Sequence, residues 1–236
     1  MSAEANKSPR PRGAVFDCDG LLVETADQWL LAFKATVGAL GCSMDRVDQI
    51  QLHGASIALA AERLSEALAR HVPERLLRDA LRESFSTATL APMPGAAALL
   101  TALVDRMPLA VATNAPEEIA ESALRRAGLS GFFSMVLSAE QTSAPKPAPD
   151  VYLEACRQLG LEAREVVAFE DSAIGAEAAR DAGLVVIGVP SADDDLSADL
   201  VVDRLDHAQV WTLLGINASP NRGVPPASPP VEQDKS

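Results

Sequence analysis

Short apolar runs alternating with amphipathic stretches organise most of this chain. Gly13-Ala14-Val15-Phe16 is the first run, and it stops abruptly at Asp17. Comparable runs follow at residues 109–112, 135–137, 166–169 and 184–189, with a further one at 200–202. Brief apolar runs bounded by turn signals read as buried strands. Between them lie stretches of helical spacing: 96–104, 116–127 closed by Gly128, 150–159 closed by Gly160, and 172–182 closed by Gly183. Glycine just past the last periodic residue is the usual helix stop. Strand and helix alternating at regular distance predict an α/β fold built on a doubly wound parallel sheet.

One long stretch breaks the alternation. From about residue 26 to 90 the pattern is helical and free of strand signals, with Trp29, Phe33, Val37 and Leu40 recurring at helical spacing before Gly41. Helices over 56–72 and 74–90 follow, separated by Pro73, which suits a helix start. The expected organisation is therefore a sheet domain from 13–22 and 93–215, with an all-helical insert at 23–92. Residues 1–12 and 216–236 are rich in Pro, Ser, Asn and charge and offer no apolar face, so both are expected to be tails.

Composition narrows the function classes. With 236 residues and 48% hydrophobic side chains the chain can build a substantial core. A net charge of −13 repels nucleic acid and anionic lipid, so neither is an expected partner. An anionic ligand would have to be caught locally, by a metal, a helix start or a placed lysine. The three cysteines, Cys18, Cys42 and Cys156, are widely spaced and form no Cys-x-x-Cys pair, which suits a reducing compartment. No apolar run has signal-peptide length or approaches the roughly 20 residues that span a bilayer. A soluble, cytoplasmic protein is expected, and nothing in the sequence requires it to be more than a monomer.

In parallel sheets ligands bind beyond the carboxyl ends of the strands. Asp17-Cys18-Asp19-Gly20 follows the first run, Thr113-Asn114 the second, a segment holding Lys146 the third, and Glu170-Asp171-Ser172 the fourth. Asp17 and Asp19 lie two residues apart and fall on one side if the strand persists, with Cys18 turned into the core. With Glu170 and Asp171 they make a set of carboxylates that cannot all ionise unaided. A hard cation resolves the conflict, and Mg²⁺ fits an all-oxygen donor set with no His or Cys cluster nearby. Lys146, one of four lysines, is held among Pro145, Pro147 and Pro149 as a positioned charge, and Thr113 offers a hydroxyl to a phosphate oxygen. Singly, each motif has a plain structural reading: a turn at Asp17–Gly20, a solvated Lys146, helix caps at Thr113-Asn114 and at Ser172. Their arrival at successive strand ends of one sheet favours a site.

The segments Phe16-Asp17-Cys18-Asp19-Gly20-Leu21-Leu22-Val23-Glu24-Thr25, Val111-Ala112-Thr113-Asn114-Ala115, Lys146-Pro147-Ala148-Pro149-Asp150-Val151-Tyr152 and Glu170-Asp171-Ser172-Ala173-Ile174-Gly175 resemble, in order and spacing, the haloacid dehalogenase superfamily of phosphotransferases. Within it they are similar to the subfamily that holds β-phosphoglucomutase and many sugar-phosphate phosphatases. The resemblance implies Asp17 as nucleophile, Asp19 as general acid and base, and Thr113 and Lys146 holding the transferring phosphoryl group. It further implies Mg²⁺ bound by Asp17, Asp171, the Asp19 carbonyl and Glu170, directly or through water. Asn114, Thr25, His53 and Gly54 are the further candidates for substrate contact, and the helical insert resembles the family's cap, hinged near 21–25 and 91–95.

Mutases of the subfamily resemble Lys-Gly-x-Ser-Arg in the cap, where this chain has His53-Gly54-Ala55-Ser56-Ile57, and they place a histidine where this chain has Trp29. Losing both basic groups removes the grip on a second phosphate, so hydrolysis of a small phosphorylated metabolite is expected ahead of a hexose-phosphate mutase. A catalytically silent binding module is the rival from another class. Trp29 fits the apolar stripe of its helix and is expected in the core.

Overall fold

The computed structural model describes residues 10–46, 52–190 and 196–216. Six strands form one sheet: β1 Gly13–Phe16, β2 Leu109–Thr113, β3 Met135–Ser138, β4 Val166–Glu170, β5 Val185–Gly188 and β6 Leu200–Val201. All pairs are parallel, as the alternating pattern predicts, and the order is β3-β2-β1-β4-β5-β6. β1 lies between β2 and β4, with Phe16 in register with both Val111 and Phe169. The chain therefore leaves the sheet at Asp17 beside the last residues of β2 and β4, and the Asp17 N–H still donates to the Phe169 carbonyl at 3.0 Å.

Every residue of β1, β2 and β4 is buried, because helices cover both faces. Alternation along β1 sends Ala14 and Phe16 into one apolar cluster and Val15 into the other. Phe16 stacks on Phe169 with centroids 4.6 Å apart, so packed aromatic rings lie beneath the strand ends. Truncating such a ring to alanine typically costs about 3–5 kcal/mol.

The helices are α1 Ala26–Ala39, α2 Ile57–Leu68, α3 Glu74–Ser86, α4 Ala96–Leu103, α5 Glu117–Arg126, α6 Asp150–Leu159, α7 Ala173–Asp181 and α8 Ala208–Leu214. α1–α3 occupy the stretch expected to be all-helical. Their core residues Leu64, Leu77 and Phe85 belong to the same apolar cluster as Phe16 and Leu99 of the sheet side. Polar contacts add to this junction: the Arg78 and Arg82 guanidiniums of α3 lie 3.3 and 2.9 Å from Glu118 of α5, and Arg78 also bonds Glu140.

Several boundaries differ from the sequence expectation. α2 stops at Leu68 and not at 72, because Ala69 turns left-handed (φ 49°) and Ser65 Oγ takes the Val72 N–H at 2.9 Å. α3 stops at Ser86 and not at 90, with the Arg126 guanidinium bonding the carbonyls of Ser86 and Ala88. α8 has no counterpart in the predicted elements; His207 caps it by accepting the Gln209 N–H at 3.2 Å. Arg12 and Ile216, expected in tails, are part of the fold. The Arg12 N–H and guanidinium reach Glu165 at 2.7 and 2.6 Å, and Ile216 is buried. The remaining tail expectations, at 1–9 and 217–236, lie outside the described residues. Among the described residues no helix is long and apolar enough to cross a membrane.

Candidate active site

The turn leaving β1 is fixed by one glycine. Gly20 has φ +80°, and a Cβ there would stand 2.3 Å from Asp171 Oδ2, so both conformation and space require glycine. Cys18 is fully buried in the core, and Asp17 and Asp19 consequently both face the opposite way, into a cavity of about 370 Å³. Two carboxylates at the end of an apolar strand repel one another. Burial, reinforced by the charge of Asp17, pushes the Asp19 carboxyl up to about 6, against hydrogen bonds from Trp29 and Thr25.

Lys146 enters from the loop after β3. Asn114 pins its backbone, accepting the Lys146 N–H at 2.9 Å and donating to the Lys146 carbonyl at 3.2 Å; the same amide donates to the Gly54 carbonyl at 2.8 Å. The Lys146 ammonium reaches Asp17 Oδ1 at 2.6 Å, Glu170 Oε1 at 2.5 Å and the Ala112 carbonyl at 2.9 Å. Burial works against this charge, yet Asp17 and Glu170 more than offset it and hold the lysine well above its usual value.

Glu170 is sealed from solvent. Burial raises its carboxyl despite Lys146, because one ammonium is shared between two carboxylates. The Tyr152 hydroxyl donates to the same oxygen that Lys146 holds, and Ser172 Oγ lies 3.4 Å from the other. Gly175 makes the room: a Cβ there would come within 2.1 Å of the Glu170 carboxylate. Ser172 also caps α7, accepting the Gly175 N–H at 3.1 Å.

Asp171 is buried beside it, with His53 Nε2 2.9 Å from its Oδ2. One oxygen each from Asp17, Glu170 and Asp171 lie within 4.8 Å of one another. Three converging carboxylates with one shared lysine leave excess negative charge, the donor set that suits a hard divalent cation. Thr113 is buried at the end of β2, its hydroxyl accepting the Ala115 N–H at 3.0 Å and facing the cavity beside Asn114.

Asp17, Asp19, Thr113, Asn114, Lys146, Thr25, His53 and Gly54 all line the one cavity, and Glu170 and Asp171 lie against its floor through Lys146, Asp17 and His53. Trp29 departs from the expectation of plain core packing. Its ring does pack against Phe33, with centroids 5.8 Å apart, but it also lines the cavity, and Nε1 donates to Asp19 Oδ1 at 3.0 Å. Tyr152 is a contributor that sequence reasoning did not single out, whereas Ser172 is the helix cap that the sequence predicts and lines the cavity as well. The signal for Tyr152 was its place one helical entry after Lys146, where a lone polar ring in an apolar stripe needs a buried partner.

The haloacid dehalogenase-like hydrolase family model matches residues 14–189. The chain is 32% identical to fructose-1-phosphate phosphatase YqaB of Escherichia coli over 76% of this chain and 97% of that protein. It is 30% identical to validoxylamine A 7'-phosphate phosphatase of Streptomyces hygroscopicus over 86% and 97%. Among solved structures, CbbY from Rhodobacter sphaeroides in complex with phosphate superposes with a TM-score of 0.71 at 27% identity, covering 87% of this chain and all of that one. With the parallel sheet and the carboxylate cluster at its strand ends, these matches show that the chain belongs to the haloacid dehalogenase-like hydrolases.

Proposed function

We propose that this chain is a Mg²⁺-dependent phosphatase that hydrolyses a small phosphorylated metabolite, a sugar or polyol phosphate, through an aspartyl-phosphate. The observation that carries this reading is the Asp17 carboxylate, clamped 2.6 Å from the Lys146 ammonium and clustered with Glu170 and Asp171 at the floor of a small cavity. The relatives named as phosphatases of fructose 1-phosphate and of phosphorylated carbohydrates support the substrate class.

In the first step Asp17 attacks phosphorus, the bond to the leaving oxygen breaks, and Asp19 delivers its proton to that oxygen. A carboxyl near 6 holds a proton often enough for this role. In the second step water attacks the aspartyl-phosphate, Asp19 takes the water proton, and phosphate leaves with Asp17 restored. Lys146 and Thr113 hold the phosphoryl oxygens, and Asn114 orients the Lys146 loop. Asp17, Asp171, the Asp19 carbonyl and Glu170 would hold the Mg²⁺. When bound, the ion supplies charge neutralisation on the phosphoryl group. Residues 23–92 act as a cap that presents Thr25, His53 and Gly54 to the substrate and excludes water.

A panel of phosphorylated metabolites assayed for phosphate release, with Mg²⁺ and with EDTA, tests this. Metal-dependent release from sugar or polyol monophosphates is expected. Interconversion of glucose 1-phosphate and 6-phosphate without phosphate release would make the chain a mutase, and inertness toward the whole panel would make it a silent binding module.

A further inference from the structure

The cavity that receives the leaving group is unusual in its charges. Its lining includes the rings of Trp29 and Phe33 with Leu52 and Met93, and the exposed Glu24. Among the described residues only Lys146 and His53 bring a basic group to it. The Lys146 ammonium is already bonded to Asp17, Glu170 and the Ala112 carbonyl, and His53 Nε2 faces Asp171. Both bases thus lie at the phosphoryl end, against carboxylates. The rest of the lining, where the remainder of the substrate must sit, includes those apolar side chains and the carboxylate of Glu24.

We infer that this pocket selects phosphate monoesters whose leaving group is a neutral alcohol with an apolar face, and discriminates against substrates carrying a second anionic group. The inference rests on the phosphatase reading and deepens it. A second phosphate or carboxylate there would lose its water to aromatic and aliphatic walls without gaining a further cation, and would share the cavity with Glu24. Specificity of this kind comes from the repulsive element as much as from the attractive one. A neutral alcohol loses little there, and the C–H face of a sugar ring or an aromatic ring can lie against Trp29. At about 370 Å³ the cavity is at the small end for ligand pockets, which limits the leaving group to monosaccharide size.

The test uses the full chain with Mg²⁺ and matched substrate pairs: glucose 1-phosphate against glucose 1,6-bisphosphate, and glycerol phosphate against 3-phosphoglycerate. The inference predicts kcat/KM at least about tenfold lower for the doubly anionic member of each pair, since its second charge is desolvated without a partner. Glu24→Gln should narrow that ratio, added salt should narrow it in the wild type, and Leu52→Arg, which supplies the missing cation, should narrow it further. Equal or faster turnover of the doubly anionic members overturns the inference while leaving the phosphatase reading standing. Absence of turnover on every member overturns both.

Discussion

The Lys146 ammonium lies 2.5 Å from Glu170 Oε1, and both side chains are sealed from solvent. A pair so placed is not evidence of stability, because desolvating two charges offsets most of their attraction. Its consequence is organisational: it ties the loop after β3 to the end of β4 and sets the ammonium against Asp17 at the end of β1. Three strand ends are thereby held in one geometry.

Removing one partner leaves the others uncompensated. Lys146→Met should destabilise the metal-free protein by about 3–5 kcal/mol, the usual penalty for orphaning a buried charge. Urea denaturation in EDTA measures it, and Mg²⁺ should recover part of the loss. An unchanged midpoint would contradict the shared-ammonium geometry.

Tyr152 bonds the same Glu170 oxygen, with its hydroxyl 3.2 Å from the Lys146 ammonium. Tyr152→Phe should cost roughly 1–3 kcal/mol, the range for a buried polar group left short of a partner. Gly175→Ala attacks the same carboxylate sterically and should weaken Mg²⁺ activation as well as lower Tm. Thermal denaturation of both variants, with Mg²⁺ titrations of activity, gives the readout; wild-type behaviour in Gly175→Ala would mean that Glu170 is free to move.

Asp19 has a folded-state carboxyl raised by burial to about 6 from an ordinary 3.8. A group raised on folding binds protons more tightly in the folded state, so its contribution is fully present below pH 3.8 and is lost as pH rises through about 6. At neutral pH the ionised Asp19 therefore strains the metal-free fold. Asp19→Asn should raise stability in EDTA at pH 7.5 by roughly 2 kcal/mol, and the gain should vanish near pH 4. A pH-independent difference would contradict the raised carboxyl.

The six strands are legible as short apolar runs, most plainly β1, β2 and β4, which are buried on both faces, and the first four runs are followed by the motif-bearing polar groups. Helix ends are less so. Ala69 turns left-handed without a glycine to announce it, and Arg126 captures the carbonyls of Ser86 and Ala88 from a distant helix. α8 is short, and its place is set by packing of Val210 and Leu214 into the core. Within the site, Asp17, Asp19, Thr113, Lys146, Glu170 and Asp171 stand out by position, whereas Trp29 does not. An indole in an apolar stripe serves the core equally well, and only the fold brings its N–H to Asp19.

The central claim is that Asp17 is the nucleophile. Asp17→Asn keeps the size of the side chain and removes the attacking carboxylate. Phosphate release from a sugar monophosphate at saturating Mg²⁺ should fall by about a thousandfold or more, with the fold intact by circular dichroism. Turnover within a few fold of wild type would contradict the account.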